Sequence, residues 1–550
     1  MHVDIIDSFE TLTQLKTNWD AVYDADPEAH YFLSSTWISG WFENLNSQWL
    51  VLAAKPRAEA SGYVGFFPVQ LRTETGQDGR LYNSIRMGGS YFAVYTGFIC
   101  DPAFQDRAIP ALAGCLKSLN WTNLHFDDVY ASDERRQLFF SQFAEAEFFT
   151  RKMRRPAHVT DTGEDIDHDI YIYVRLPGDF ETYLNTRLGT NTRRDARYFL
   201  RKVDGTGEYC ITHADASTIE RDLETLLRFW LAQWEEKSPK YAHSMVHNSR
   251  KMLKRCFEAG ALFLPVLWKG DAPIGAHVGF VDKSKRALVC FLVGRDLTVK
   301  KPPPGFVLHM HSMKWAIENG LETYDLGTGN FSYKSSFGSE EHRVERWCIS
   351  TLTRENLRGK LEPRSLPAVL SYVRALHKAG KFPEAARGCR QILAVEPGHA
   401  GARALLEELD AATASTHDDF AKAFAFHKRG QTADAEQIYR SILAREPDYF
   451  DARHLLGVVF LERGEFEAAE REISLAIKIN PNVAPAHNNR GNALKGLGRL
   501  EEALASYERA IALNPDYPLA LNNRGNALRA LGRTGEALAS YDQALALKPD

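Results

Sequence analysis

The chain has 550 residues, 44% of them hydrophobic and 25% charged, with a formal net charge of −4. That length exceeds what one core organises and points to several domains, and the near-neutral balance excludes a polycation built for general nucleic-acid binding. Seven scattered cysteines exclude a disulfide framework and a Cys-x-x-Cys metal knuckle; with no basic leader and no run approaching eighteen apolar residues, the expectation is a protein of a reducing cytoplasm with no membrane segment.

Alternating strand and helix patterns fill residues 1–350. The first pass predicts helices at 10–25, 36–46 and 106–119, and strands in "WLVLAAK", "GYVGFFPVQL", "YTGFICD" and "NLHFDDV". A second pass begins after about residue 165: strand 170–176, helices 179–203, 215–236 and 244–259, and three consecutive strands in "LFLPVLWKG", "PIGAHVGFVD" and "ALVCFLVGR". Helix 305–319 and strands 322–326 and 343–353 complete it. Two related α/β halves are implied, 1–160 and 161–355.

The histidines give no metal motif. His243 and His247 stand at i, i+4, but no Glu follows in a His-Glu-x-x-His pattern. His309 and His311 are about 200° apart on their helix and do not converge. His277, among apolar strand neighbours, reads as a satisfied core histidine, or alternatively as a group facing an acceptor cleft. No Gly-x-Ser-x-Gly elbow, Walker loop or nucleophilic-cysteine signature occurs.

In the first half "FLSSTWISGWFENL" (with Trp37 and Trp41), "GFFPVQL" and "MGGSYFAVYTGFICDP" occur in order. The second half has "YLNTRLGTNTRRDARYFLRKV", "LRFWLAQW", "PIGAHVGF", "PPPGFVLHMHSMKWAIENGLETYDLGTG" and "YKSSFG". This succession, over about 30–350, resembles the GNAT superfamily, in particular the tandem group of FemAB-like transferases and cellulose-biosynthesis acyltransferases. The resemblance implies two GNAT-like α/β domains, the second catalytic, with a coenzyme A thioester as co-substrate; from the histidine and cysteine patterns no metal is expected.

A GNAT fold binds its donor where two central strands splay, with the pyrophosphate on backbone N–H groups at a helix N-terminus. The matching stretch here is "KKPPPGFVLHMHSMKWA", which makes Lys301, Pro304 and Gly305 candidate donor-binding residues. It departs from the Gln/Arg-x-x-Gly-x-Gly/Ala loop of the superfamily, and the same residues also suit a Pro-rich turn that caps a helix. In "YDLGTGNFSYKSSFG" the resemblance puts Asp325 at the splayed strand end, to orient or deprotonate an attacking amine or hydroxyl. Tyr333 would protonate the leaving thiolate, and Lys334 would hold a phosphate or carboxylate. The plainer alternative has Asp325 capping the turn and Tyr333 as a half-buried aromatic. Arg193, Arg194, Arg197 and Arg201 make one helix face basic: Arg194 and Arg197 are candidates for the donor's phosphates, for a tRNA acceptor stem as in FemAB-like enzymes, or for an ordinary solvated face.

The strongest periodicity comes last. Pro447, Pro481, Pro515 and Pro549 are 34 residues apart, as are Gly430, Gly464, Gly498 and Gly532, and Ala435, Ala469, Ala503 and Ala537. Gly457, Gly491 and Gly525 let a first helix approach its partner, and Pro stops the second. The pattern resembles the tetratricopeptide repeat (TPR): four units over 416–550, an α-solenoid, preceded over 356–415 by a degenerate copy with Gly380, Ala385 and Pro397 and a spacer helix near 400–415. Such arrays bind peptide or a partner helix on their concave face. "HNNRGNAL" and "LNNRGNAL" place Asn489, Asn492, Asn523 and Asn526 as candidate peptide-binding residues, in the manner of the asparagine ladder of O-GlcNAc transferases; bonding between neighbouring turns is the alternative. The final "LALKPD" has no capping helix after it, so the expectation is either an array cut from a longer one or an interface at that end.

The functional expectation is an acyl-CoA-dependent N- or O-acyltransferase whose TPR arm recruits a protein substrate or partner. An aminoacyl-tRNA-dependent FemAB-like transferase and an inactive scaffold acting through its TPR arm are the alternatives.

Overall fold

The structure, a computed structural model, describes residues 1–45, 47–90, 93–155, 158–160, 163–205 and 207–548. Pro549 of the 34-residue series, and Tyr91 and Phe92 of the stretch 87–102, lie outside the described residues. The chain divides into two compact units, Met1–Gly76 with Leu81–Ala368 and Gln77–Arg80 with Val369–Asp550.

The first unit is mixed α/β. Its first half runs β1 (His2–Ile6), α1 (Phe9–Gln14), α2 (Lys16–Ala25), α3 (Ser35–Glu43), β2 (Trp49–Lys55), β3 (Gly65–Thr75), β4 (Leu81–Met87), β5 (Ile99–Cys100), α4 (Gln105–Ser118), β6 (Asn123–Val129), α5 (Asp133–Phe140) and β7 (Phe148–Met153). A two-stranded ribbon, β8 (His158–Val159) with β9 (Asp165–Ile166), follows. The second half runs β10 (Ile170–Arg175), α6 (Phe180–Arg187), α7 (Thr190–Gly205), β11 (Tyr209–His213), α8 (Ile219–Trp234), α9 (Pro239–Glu258), β12 (Leu262–Phe263), β13 (Pro265–Lys269), β14 (Ala272–Asp282), β15 (Ala287–Arg295), α10 (Pro304–Glu318), β16 (Thr323–Thr328), α11 (Ser332–Ser335), β17 (Glu340–Arg343) and β18 (Glu345–Thr351).

The two sheets share one strand order. The first is β1-β2-β3-β4-β6-β18-β7 and the second β11-β13-β14-β15-β16-β10-β17. In each, the fourth and fifth strands are parallel and the other neighbours antiparallel. The sixth place is filled differently in the two: β10 opens the second half and pairs within its own sheet, whereas β18 closes the second half and joins the first sheet. The strand read at 343–353 therefore belongs to the first sheet, between β6 and β7. The crossing of β18, with a core that draws Trp37, Phe66, Val278 and Phe280 from both halves, fastens them together. Tyr31 and Phe280 stack at 4.5 Å across it.

Three elements differ from the sequence reading. Helix 179–203 breaks into α6 and α7 because Leu188 turns to extended backbone and is buried. "LFLPVLWKG" is interrupted before Pro265, and its two pieces pair successive parts of β14. "YTGFICD" yields only the short β5, on the edge of β3.

The second unit is helical: α12 (Leu366–Lys378), α13 (Phe382–Val395), α14 (Ala400–Lys428), α15 (Thr432–Arg445), α16 (Phe450–Glu462), α17 (Phe466–Ile479), α18 (Ala484–Gly496), α19 (Leu500–Leu513), α20 (Pro518–Ala530) and α21 (Thr534–Leu547). The spacer near 400–415 is no separate helix. It continues into the next unit's first helix as the 29-residue α14, since no Pro or Gly interrupts 402–428. The repeating glycines do what the spacing predicts: a Cβ on Gly491 would stand 2.4 Å from the Tyr507 ring, and one on Gly525 2.5 Å from Tyr541.

Candidate active site

β15 and β16 run side by side for only three registers, Ala287–Val289 against Thr323–Asp325. Beyond these, β15 stays with β14 as far as Arg295, while β16 stays with β10 as far as Thr328. The two central strands thus part at Asp325.

The helix joining them begins at the opening. Proline cannot donate to a ladder and is tolerated at a first helical position, so Pro302, Pro303 and Pro304 end the loop and start α10. No side chain caps this N-terminus and no acid stands in its first turn. The Gly305 and Phe306 N–H groups are left without intrahelical acceptors, at the positive end of the helix dipole. Arg295 overhangs the turn: its Nη1 would lie 3.9 Å from a Cβ on Gly305. Arg295 is exposed, like Lys300 and Lys301, and makes no ion pair or side-chain hydrogen bond among the described residues. Pro304 is pressed onto the sheet at Gly275, where a Cβ would stand 2.9 Å from the proline ring. These groups suit a phosphate.

Asp325 is 7% exposed. Its Oδ2 accepts from the Tyr95 hydroxyl at 2.6 Å and its Oδ1 from the Gly327 N–H at 2.7 Å. Burial raises its pKa; the Tyr95 hydroxyl, the Gly327 N–H and the Lys334 ammonium oppose the rise. Tyr95 comes from the first half, so the site is built by both. Lys334 is buried and donates to the carbonyls of Gly327 and Thr328, holding the turn after β16. Burial lowers its pKa to about 8, with Asp325 opposing. Its ammonium is thus anchored beneath the turn. The Tyr333 ring is half exposed, and desolvation of its hydroxyl, with Cys290 adding, pushes the phenol up to about 12. That hydroxyl bonds to no described residue. Gly338 ends the segment with φ 68° against the Arg187 carbonyl, 2.4 Å from where a Cβ would be, so the loop cannot carry a larger residue there.

Asp325, Tyr333 and Lys334 are thereby gathered at the end of β16 and in α11, and Lys301, Pro304 and Gly305 at the start of α10. Arg194 and Arg197 are engaged locally on the exposed face of α7: Arg194 pairs with Asp195 at 3.3 Å, and Arg197 with Glu181 at 2.6 Å and Asn185 at 3.1 Å. Sequence reading passed over Tyr95 and Arg295. The only local signal for Arg295 is a cation ending an apolar strand before a Lys-Pro loop; Tyr95 has none.

In the helical unit the four asparagines fall into two sets. Asn489 Nδ2 lies 3.1 Å from His454 Nε2, and Asn523 donates to Asn488 Oδ1 at 3.0 Å, so this pair links successive first helices. Asn492 and Asn526 accept from the hydroxyls of Tyr507 (2.9 Å) and Tyr541 (3.0 Å) within their own repeats. All four stay partly exposed, and each amide keeps capacity beyond these bonds.

The acetyltransferase (GNAT) domain profile matches residues 190–335, which span the parted strands, α10 and Asp325. Tetratricopeptide repeat profiles match 426–490, 491–532 and 518–550. The chain carries a GNAT-type acetyltransferase domain followed by TPR repeats. No curated protein matches it. Among solved structures, it is similar to a crystal structure of MamA (20% identity, 32% of this chain and 94% of that one, TM-score 0.24). It is also similar to a mutant O-GlcNAc transferase of Thermobaculum terrenum (29%, 21% and 22%, TM-score 0.21). A third is the first TPR of Spaghetti (RPAP3) bound to an HSP90 peptide (26%, 21% and 93%, TM-score 0.21). Among the described residues no helix is long and apolar enough to cross a membrane.

Proposed function

We propose that the chain is an acyltransferase moving an acyl group from acyl-CoA to an amine or hydroxyl acceptor, with the TPR arm recruiting the protein that carries or accompanies the acceptor. The observation that carries the reading is the uncapped, cation-flanked N-terminus of α10, placed where β15 and β16 part beside a buried carboxylate. Acyl-CoA supplies an activated thioester. Gly305, Phe306, Arg295 and Lys301 hold its phosphates. Asp325 accepts the acceptor's proton, the Tyr95 hydroxyl fixes that carboxylate, and Tyr333 offers a proton to the leaving sulfur. Lys334 keeps the turn closed and favours the ionised form of Asp325.

The shared strand order supports a tandem, FemAB-like pair of GNAT-like domains, of which only the second holds the donor. In the first half the helix following the fourth strand is preceded by a turn capped by Asp101, whose carboxylate accepts from the Ala103 N–H at 2.9 Å, and Asp106 stands in the first turn of α4. An anion meets like charge there. Asn489, Asn492, Asn523 and Asn526 are the residues proposed to meet a peptide backbone along the arm.

The test is thermal unfolding of the full chain with coenzyme A, short and long acyl-CoAs, and adenosine diphosphate as control. A bound donor at a hundred times its dissociation constant adds about 2.7 kcal/mol. Stabilisation by an acyl-CoA, lost in Arg295→Gln, supports the reading; no shift with any thioester overturns it.

A further inference from the structure

One cluster of reactive side chains takes no part in the chemistry above. His277 on β14, Cys290 on β15 and His309 on α10 each present a ligand atom, and the three atoms lie within 4.8 Å of one another. All three residues are buried, at 0%, 7% and 5% exposure. Three chain segments converge here, between the second sheet and the helix that covers it.

Hydrogen bonds engage one nitrogen of each ring. His277 Nδ1 is 3.0 Å from the Ser312 hydroxyl, and His309 Nδ1 is 2.8 Å from the Tyr324 hydroxyl. Both imidazoles are therefore oriented through Nδ1, and the Cys290 thiol is hydrogen-bonded to the same Tyr324 hydroxyl. Nε2 of His277 has no partner, although it is completely buried. Buried polar atoms are nearly always satisfied, so an orphaned imidazole nitrogen on a ring clustered with a thiol and a second imidazole calls for an occupant. A metal-bound histidine donates its other ring N–H to an outer acceptor, and the Ser312 and Tyr324 oxygens stand where they can accept it.

We propose that His277, Cys290 and His309 form a buried metal site that takes Zn2+. Two imidazoles and a thiolate, with no carboxylate among them, suit a borderline or soft ion and not Mg2+ or Ca2+. Zinc bonds of 2.0–2.1 Å to nitrogen and 2.3 Å to sulfur require ligand separations of roughly 3.3–3.6 Å, which a small rotamer adjustment reaches. On binding, the Cys290 thiol gives its proton to solvent and the sulfur bonds the metal; the imidazoles bind neutral, and nothing is oxidised or reduced. Burial already keeps both imidazoles unprotonated at neutral pH. The bound ion ties β14 and β15 to α10 one turn beyond Gly305, and so fixes the helix end that faces the parted strands.

The experiment uses the full chain, purified without chelator from cells grown in zinc-supplemented or cobalt-supplemented minimal medium. Plasma mass spectrometry is expected to find one metal per chain after gel filtration, and the cobalt form to show a thiolate-to-cobalt charge-transfer band. Cys290→Ser should lose the band and weaken zinc retention at least about 100-fold, more than an outer partner is worth. Cys210→Ser, at an exposed thiol, should change neither. If Cys290→Ser fails to fold by circular dichroism, His277→Gln takes its place with the thiol intact, and the same loss is expected. A wild-type chain that retains no metal and shows no band, or a band that survives Cys290→Ser and disappears in Cys210→Ser, overturns the site.

Discussion

Replacing Tyr95 by Phe removes one oxygen and tests whether Asp325 is the base. The hydroxyl donates at 2.6 Å to a carboxylate that is otherwise held by one N–H and a nearby ammonium. A hydrogen bond to a charged group is worth about 1.5–3 kcal/mol, and one pKa unit is 1.36 kcal/mol, so its loss raises the Asp325 pKa by about 1–2 units. Burial has already raised that pKa, and the substitution adds to the rise. Only the ionised carboxylate accepts a proton, so the acid limb of kcat/KM moves to higher pH by about 1–2 units while the plateau above it persists. The assay follows thiol release from acetyl-CoA against pH with a primary-amine acceptor. Tyr171→Phe is the control: its hydroxyl donates to the Val94 carbonyl at 2.7 Å and its ring packs on Tyr95, but it does not bond Asp325, so its acid limb stays in place. An active Tyr95→Phe enzyme with an unmoved acid limb refutes the assignment of Asp325 as base.

Arg295→Gln should weaken acyl-CoA binding by about tenfold or more and leave kcat nearly unchanged, whereas the paired Arg194→Ala and Arg197→Ala should not alter KM for the donor; steady-state kinetics separates the two cases. Lys334, lowered from 10.5 to about 8, loses its proton in the folded protein before the unfolded chain does, so between those values the unfolded state binds more protons and stability rises with pH. Denaturant midpoints should show that rise, about 3 kcal/mol at most, and Lys334→Met should flatten it. Gly491→Ala forces a methyl into the Tyr507 ring and should cost about 1–3 kcal/mol in thermal unfolding of the helical unit, while Gly535→Ala, with nothing within 4 Å, should be neutral or slightly stabilising.

What was legible in the sequence divides along a physical line. The TPR array could be read because its determinants are local and repeated: a left-handed glycine, an alanine five residues on and a proline recur every 34 residues, and each acts within one hairpin. Most strands and helices of the α/β region were readable for the same reason. The sheet partner of β18 was not, because an alternating strand records which of its faces is buried and not which sheet it enters. The long helix α14 was misjudged at a point where the only guide was the spacing between repeats, and an uninterrupted run of helix formers overrode it.

The site follows the same rule with sharper consequences. Asp325 and the start of α10 announce themselves through a strand end, a glycine turn and a run of prolines, all within one stretch of chain. Tyr95 bonds Asp325 across 230 residues, from one half of the unit to the other, and His277, Cys290 and His309 arrive from two strands and a helix with no ligand spacing among them. A motif exists only where the fold lets neighbouring residues share a task. In this unit the passage of β18 into the first sheet binds the halves so closely that residues distant in sequence share one core, and the groups that tune Asp325 need only the fold to be brought together. A Tyr95→Phe enzyme whose acid limb moves would show that the first half works on the proposed chemistry of the second through this single hydroxyl.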